Sequence, residues 1–210
     1  MLAIDVSSSV DEDEDALQRI GLANALLDSD VQDAFLVSPV PVALMVYEWS
    51  GRYNQVKLSD WEMIEEADDL VRVSDKISRS SRSQNDRPTA LGYALSYAAT
   101  ELEAGPDCLF KTIDMSGDGV NNDGFGPAEA YSAFPFDNVT VNGLVVKTPE
   151  FVSDIDLIDF FNDEVIRGPG AFVEIADGFD DYARAIRIKL IKELSAQAIG
   201  STATDYRTPG

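Results

Sequence analysis

The chain has 210 residues, with 38 acidic against 16 basic side chains for a net charge of −22, one cysteine and no histidine. This length allows one large domain, and the charge disfavours nucleic acid and anionic membranes as partners. Without histidine a Ser-His-Asp or Cys-His nucleophile system is impossible, and the single Cys108 excludes an internal disulfide or a cysteine-rich zinc site.

No run of about 18 apolar residues occurs, so no membrane insertion is expected. With Asp5 so close to the start, no secretion signal is expected within the sequence. Leu2 to Val6 reads as a buried strand. A helix follows from about Val10 to Leu27, with Leu17, Ile20, Asn24 and Leu27 on one face and Ala16 and Ala23 beside them. Ser9 and Glu12 have capping-box spacing, and Asp11, Glu12 and Asp13 suit the positive end of the helix dipole.

Asp28 to Pro41 reads as a linking segment, and Val42 to Tyr47 as a strand buried on both faces. After the turn at Ser50-Gly51, Gln55 to Leu58 reads as a short antiparallel edge strand. Ser59 and Glu62 repeat the capping-box spacing and predict a helix through roughly Val73. The stretch from Arg72 to Arg87 is the one locally basic region, with a serine-rich loop from Ser78 to Ser83.

Thr89 opens a helix whose apolar stripe is Leu91, Ala94, Leu95, Ala98, Ala99 and Leu102, stopped by Gly105-Pro106. Cys108 to Met115 reads as a core strand with a buried thiol, leading into the polar exit Ser116-Gly117-Asp118-Gly119. The remaining elements are a short helix over Pro127 to Ala133, a strand over Val139 to Val146 and a helix over Ser153 to Phe161 capped by Ser153. A strand over Ala171 to Ile175 and a helix from about Phe179 to Ile199 complete the series. That last helix carries Ala183, Ile186, Leu190 and Leu194 on its apolar face and is stopped by Gly200. Residues 1–200 then form one domain and residues 201–210 a flexible tail. Alternation of strands and helices predicts a mostly parallel sheet covered by helices on both faces.

Three polar groups fall at strand-to-helix junctions: Asp5-Val6-Ser7-Ser8-Ser9, Thr89 and Asp118-Gly119. In an open α/β sheet ligands bind outside the carboxyl ends of the strands. Asp5, Ser7, Ser9, Thr89 and Asp118 offer only oxygen, which suits a hard cation such as Mg²⁺, with Mn²⁺ or Ca²⁺ as substitutes. Each residue also has a plainer role: Ser9 and Thr89 as helix caps, Asp118 as a turn residue. Asp118 to Gly124 does not make a calcium loop, because aligning Gly124 as its turn glycine puts Gly119 first and Ala130 last among the ligands. Arg79, Arg82 and Arg87 precede Thr89 and form a candidate positive rim for a partner.

This set resembles the metal-ion-dependent adhesion site (MIDAS) of von Willebrand factor A (vWA) domains, in which D-x-S-x-S, a loop Thr and an Asp before Gly follow in the same order. Further pieces resemble a bacterial vWA-like family of unknown function, over nearly the whole chain to about Leu194. They are Leu17-Gln18-Arg19, Glu48-Trp49-Ser50-Gly51, Asp114 to Gly119, Val141 to Leu144 and Asn162 to Phe172. The resemblance implies a Rossmann-like three-layer fold, with six strands in the order 3-2-1-4-5-6 and one antiparallel edge strand. It also implies direct binding by Ser7, Ser9 and, in one state, Thr89, with Asp5 and Asp118 acting largely through water. One departure is Arg87-Pro88, where vWA domains usually carry Gly-Gly or similar.

The function so implied is a metal-dependent, adhesion-type module that captures an Asp or Glu of a protein partner through Mg²⁺. Export to the periplasm or the exterior is expected from the same resemblance. A Mg²⁺-dependent phosphohydrolase is the alternative, but such enzymes commonly carry a second acid two residues after the nucleophilic Asp, where this chain has Ser7. A scaffold with a vestigial site is the third reading.

Overall fold

The computed structural model describes residues 1–38, 40–148 and 154–204, with residues 154, 155 and 196–204 described by their backbone. Six strands form one sheet: β1 (Leu2–Asp5), β2 (Val42–Trp49), β3 (Gln55–Ile64), β4 (Lys111–Gly117), β5 (Val139–Val146) and β6 (Val173–Ala176). Their order is β3-β2-β1-β4-β5-β6, with β3 antiparallel to β2 and every other pairing parallel. The helices are α1 (Glu12–Leu27), α2 (Ser29–Leu36), α3 (Ala67–Ser78), α4 (Leu91–Ala104), α5 (Pro127–Ala133), α6 (Asp154–Phe160) and α7 (Tyr182–Thr204).

The side chains of each strand alternate between two cores. Leu2, Ile4, Leu44, Val46, Leu144 and Val146 pack under α1, α2, α3 and α7. Ala3, Met45, Tyr47, Ile113, Met115, Val141 and Val145 pack under α4, α5 and α6. The first of these faces also holds buried polar side chains: Glu48, Asp114, Ser116 and Asn142. Each has a partner from a helix or a neighbouring segment. Arg19 pairs with Glu48, Lys189 pairs with Asp114, the Tyr182 hydroxyl lies 3.2 Å from Ser116 Oγ, and the amide N–H of Phe172 donates to Asn142 Oδ1 at 3.1 Å.

Several sequence expectations are corrected. In α1 the residues expected to face the core, Leu17 and Ile20, are 40% and 53% exposed, and Leu27 is exposed too, while Asp15, Gln18, Arg19, Leu22 and Leu26 are buried. Helical periodicity alone places the apolar stripe inward, but this part of the sheet presents Glu48 and the Asp5 carbonyl, which Arg19 and Gln18 satisfy. The segment Asp28 to Pro41 contains α2. Ser59 and Glu62 lie within β3, which stays hydrogen-bonded to β2 as far as Ile64, and α3 begins only after Glu66. β4 starts at Lys111 rather than Cys108, so Cys108 is half-buried in a loop beside the exposed Leu109.

The stripe of α4 is buried as expected, and α5 and β5 keep the expected bounds. β6 begins two residues late, and a π-turn over Phe161–Val165 follows α6. Ala183 faces outward, and the buried face of α7 includes Lys189. Helix α7 continues through Gly200 to Thr204. Glycine weakens a helix by about 1 kcal/mol without by itself ending one, so the expected stop at residue 200 is not observed. Residues 205–210 of the expected tail and the expected cap Ser153 lie outside the described residues.

Candidate metal centre

β1 and β4 are adjacent and parallel, so their carboxyl ends deliver Asp5 and Asp118 to the same edge of the sheet. Gly117 stands between the two acids. A Cβ there would lie 3.3 Å from Asp5 Oδ2, so glycine leaves room for that carboxylate. Asp5 is buried, and its Oδ1 accepts the Ser7 amide at 2.7 Å. Its Oδ2 is buried with no hydrogen-bond partner among the described residues.

From Asp5 the loop turns over Ser7 and Ser9. Ser7 Oγ lies 3.2 Å from Ser9 Oγ, and Ser9 Oγ donates to Asp118 Oδ1 at 2.8 Å. On the other side Thr89 Oγ1 donates to Ser7 Oγ at 3.2 Å. Asp5, Ser7, Ser9, Thr89 and Asp118 are thus joined in one run of close polar contacts. Ser7, Thr89 and Asp118 are buried and Ser9 is exposed, so the cluster opens to solvent on the Ser9 side.

Local structure frees these side chains from the capping roles open to them. The cap of α1 is Asp11, in a capping box with Glu14, so Ser9 turns to Asp118 instead. The cap position of α4 is Ala90, with no side-chain hydrogen bond, so Thr89 faces Ser7. Pro88 does not hold Thr89 away. The Thr89 amide donates to Asn122 Oδ1 at 2.9 Å, and its carbonyl accepts the amides of Asn122 and Asp123.

The electrostatics are unfavourable without a cation. Burial, and then the neighbouring Asp118, push the Asp5 carboxyl well above the usual carboxylate range. The donor set is two carboxylates and three hydroxyls. Among the described residues, no group of three or more His, Cys, Asp or Glu side chains is arranged to hold a metal. An all-oxygen set with one unpartnered buried carboxylate oxygen fits a hard divalent cation.

The three arginines behave differently from one another. Arg79 is exposed and pairs with Asp75 at 2.8 Å, and Arg87 is exposed, 3.5 Å from Asp86. Arg82 turns inward, its Nη2 donating to the carbonyls of Val6 at 2.9 Å and Ser7 at 2.7 Å. Sequence reasoning missed Gln18, whose Nε2 donates to the Asp5 carbonyl at 2.7 Å, as well as Asn122 and the buried pair Arg19 and Glu48. Asn121-Asn122 after Asp118-Gly119 reads only as turn chemistry, and no periodicity marks a buried ion pair.

Similar folds occur among solved structures. Proximal thread matrix protein 1 from the mussel byssus, with a zinc-occupied MIDAS motif, matches with a TM-score of 0.66 at 16% identity, over 92% of this chain and 46% of that one. A von Willebrand factor type A protein from Catenulispora acidiphila matches at 0.64 and 14% identity, over 92% and 42%. The manganese-loaded TRAP protein of Plasmodium vivax matches at 0.55 and 16%, over 92% and 71%. The chain therefore spans less than half the length of the first two, and at these identities the likeness is one of fold, the vWA fold. No curated protein matches the sequence. The family model described as a protein of unknown function, DUF1194, matches residues 1–198, and the chain belongs to that family.

Proposed function

We propose that this domain is a divalent-cation-dependent protein-binding module of the adhesion type. The observation that carries the reading is the convergence of Asp5, Ser7, Ser9, Thr89 and Asp118, with one oxygen of the buried Asp5 carboxylate left without a partner among the described residues. In this reading Ser7, Ser9 and Thr89 hold the cation directly, and Asp5 and Asp118 hold it largely through water. When bound, the cation supplies an electrophilic position for an anionic oxygen. The neighbours carrying zinc or manganese support a divalent ion, and Mg²⁺ is the ion this oxygen set favours. The partner presents an Asp or Glu side chain. The exposed Arg79 and Arg87 offset the −22 net charge locally during its approach. A periplasmic or extracellular setting, rich in divalent ions, suits this role.

A hydrolytic role has less support. Ser7 stands where a second acid would be needed, and the buried Lys189 is taken up by Asp114.

The test is a thermal melt in EDTA and in millimolar Mg²⁺ or Mn²⁺ at matched ionic strength. A ligand at a hundred times its Kd stabilises by about 2.7 kcal/mol. The parent should gain and Asp118→Ala should not. An equal gain in both would reduce the effect to screening of the acidic surface and overturn the metal site. A partner protein isolated from native extract should be released by EDTA.

A further inference from the structure

The loop between α3 and α4 is fastened to the D-x-S-x-S turn at two points. Arg82 Nη2 holds the carbonyls of both Val6 and Ser7, and the Ser8 amide donates to the Arg87 carbonyl at 2.7 Å. The same loop is fastened to the core by charge. Glu48 accepts the Ser83 amide at 2.9 Å and is paired with Arg19, which also grips Asp15 at 2.8 Å and donates to Ser80 Oγ at 2.7 Å. An open cleft of about 420 Å³ is lined by Glu12, Asp15 and residues 81–85 of this loop. Hydrogen bonds to the turn and to Glu48 hold the loop on either side of that cleft.

We propose that Arg82 is a positioning residue for the metal-binding turn, and that the buried Arg19–Glu48 pair holds the loop that carries it. By fixing the carbonyls of the two peptide bonds that flank Ser7, Arg82 sets the direction of the Ser7 hydroxyl. This rests on the metal reading above and replaces a rim role for Arg82 with an internal one.

The sign of the effect separates this role from a purely electrostatic one. A positive charge near a cation site opposes cation binding. If Arg82 acted only as a charge, Arg82→Gln would tighten metal binding and Arg82→Lys would leave it unchanged. If it positions the turn, both variants lose the single Nη2 that reaches two carbonyls, the lysine ammonium ending short of that position, and both weaken binding. Loss of a group that orients ligands typically costs 10–100-fold in metal affinity.

The experiment is Mn²⁺ titration of the full chain, with free Mn²⁺ read by electron paramagnetic resonance well below the melting temperature. We expect tenfold or greater weakening in both variants. Tighter binding by Arg82→Gln, or parent-like binding by either variant, overturns the proposal, including where only the melting temperature falls. Should a variant not fold, hydrogen exchange on the parent decides. Mn²⁺ should slow exchange at the Ser8 and Ser83 amides, and unchanged rates there overturn the coupling. A parent that binds no Mn²⁺ removes the metal reading itself, whereas a parent that binds with indifferent Arg82 variants removes only the present inference.

Discussion

Asp5 lies near its like-charged neighbour Asp118 on the floor of the site, buried at the end of β1. Replacing it with Asn keeps an acceptor for the Ser7 amide and removes the charge that burial penalises. Asp5→Asn should therefore melt higher than the parent in EDTA, by on the order of 1 kcal/mol or about 2–4 °C for a chain of this size. The same variant should lose the gain in Mn²⁺. A melt lower than the parent in EDTA would show that the two acids do not strain the metal-free fold. Gly92 is a second single-residue constraint. A Cβ there would stand 2.2 Å from the Phe125 carbonyl oxygen, so Gly92→Ala must push the loop after β4 away from α4. The expected cost is about 1–3 kcal/mol, measured by urea denaturation. Because Asn122 of that loop holds the Thr89 amide, cation affinity should weaken as well.

Among the elements, β1, β2, β5 and the small-residue helix α4 were legible because their apolar pattern has one meaning: Leu91, Ala94, Leu95 and Ala98 can only face a core, whereas the mixed pattern of β3 was not. The five oxygen-bearing residues were legible as a spaced motif, and Asp5, Ser7, Ser9 and Asp118 stand at or just after strand ends as the alternation of elements implies, but Thr89, expected at a strand-to-helix junction, ends the loop between the helices α3 and α4. The inward face of α1 was not legible. Asp15, Gln18 and Arg19 are buried because partners lie on β1, on β2 and in the loop after α3, and none of these is visible from the helix sequence. The same holds for α7, where Lys189 is fully buried against Asp114 of β4, with Glu193 3.8 Å away. Lys189→Met should cost about 3–5 kcal/mol by leaving Asp114 buried and uncompensated, whereas Lys189→Met combined with Asp114→Leu should recover most of that loss. Chemical denaturation of the two variants checks this. Equal destabilisation in both would show that packing of the lysine stem, rather than the charge pair, fixes α7.

For the whole molecule, alkaline stability is set by buried phenols. Burial pushes Tyr182 and Tyr97 up to about 12 from an ordinary value of 10, and raises Tyr47 and Tyr131 as well. Groups whose folded pKa is raised contribute stability that is intact below about pH 10 and lost as pH climbs through 12. Phenolate absorbance from these tyrosines should consequently appear together with the loss of circular dichroism, and not before it. Their smooth ionisation in a fully folded chain would contradict the burial.

The two charge pairs on the α1 and α7 face also impose an order on synthesis. Arg19 is made before Glu48, so that contact can close as soon as β2 leaves the ribosome. Asp114 is made long before Lys189, and β4 must carry an uncompensated carboxylate on its inner face until α7 arrives. The half-sheet β3-β2-β1 is free to settle during translation, while the strand that brings Asp118 to the site is sealed only when the last helix docks.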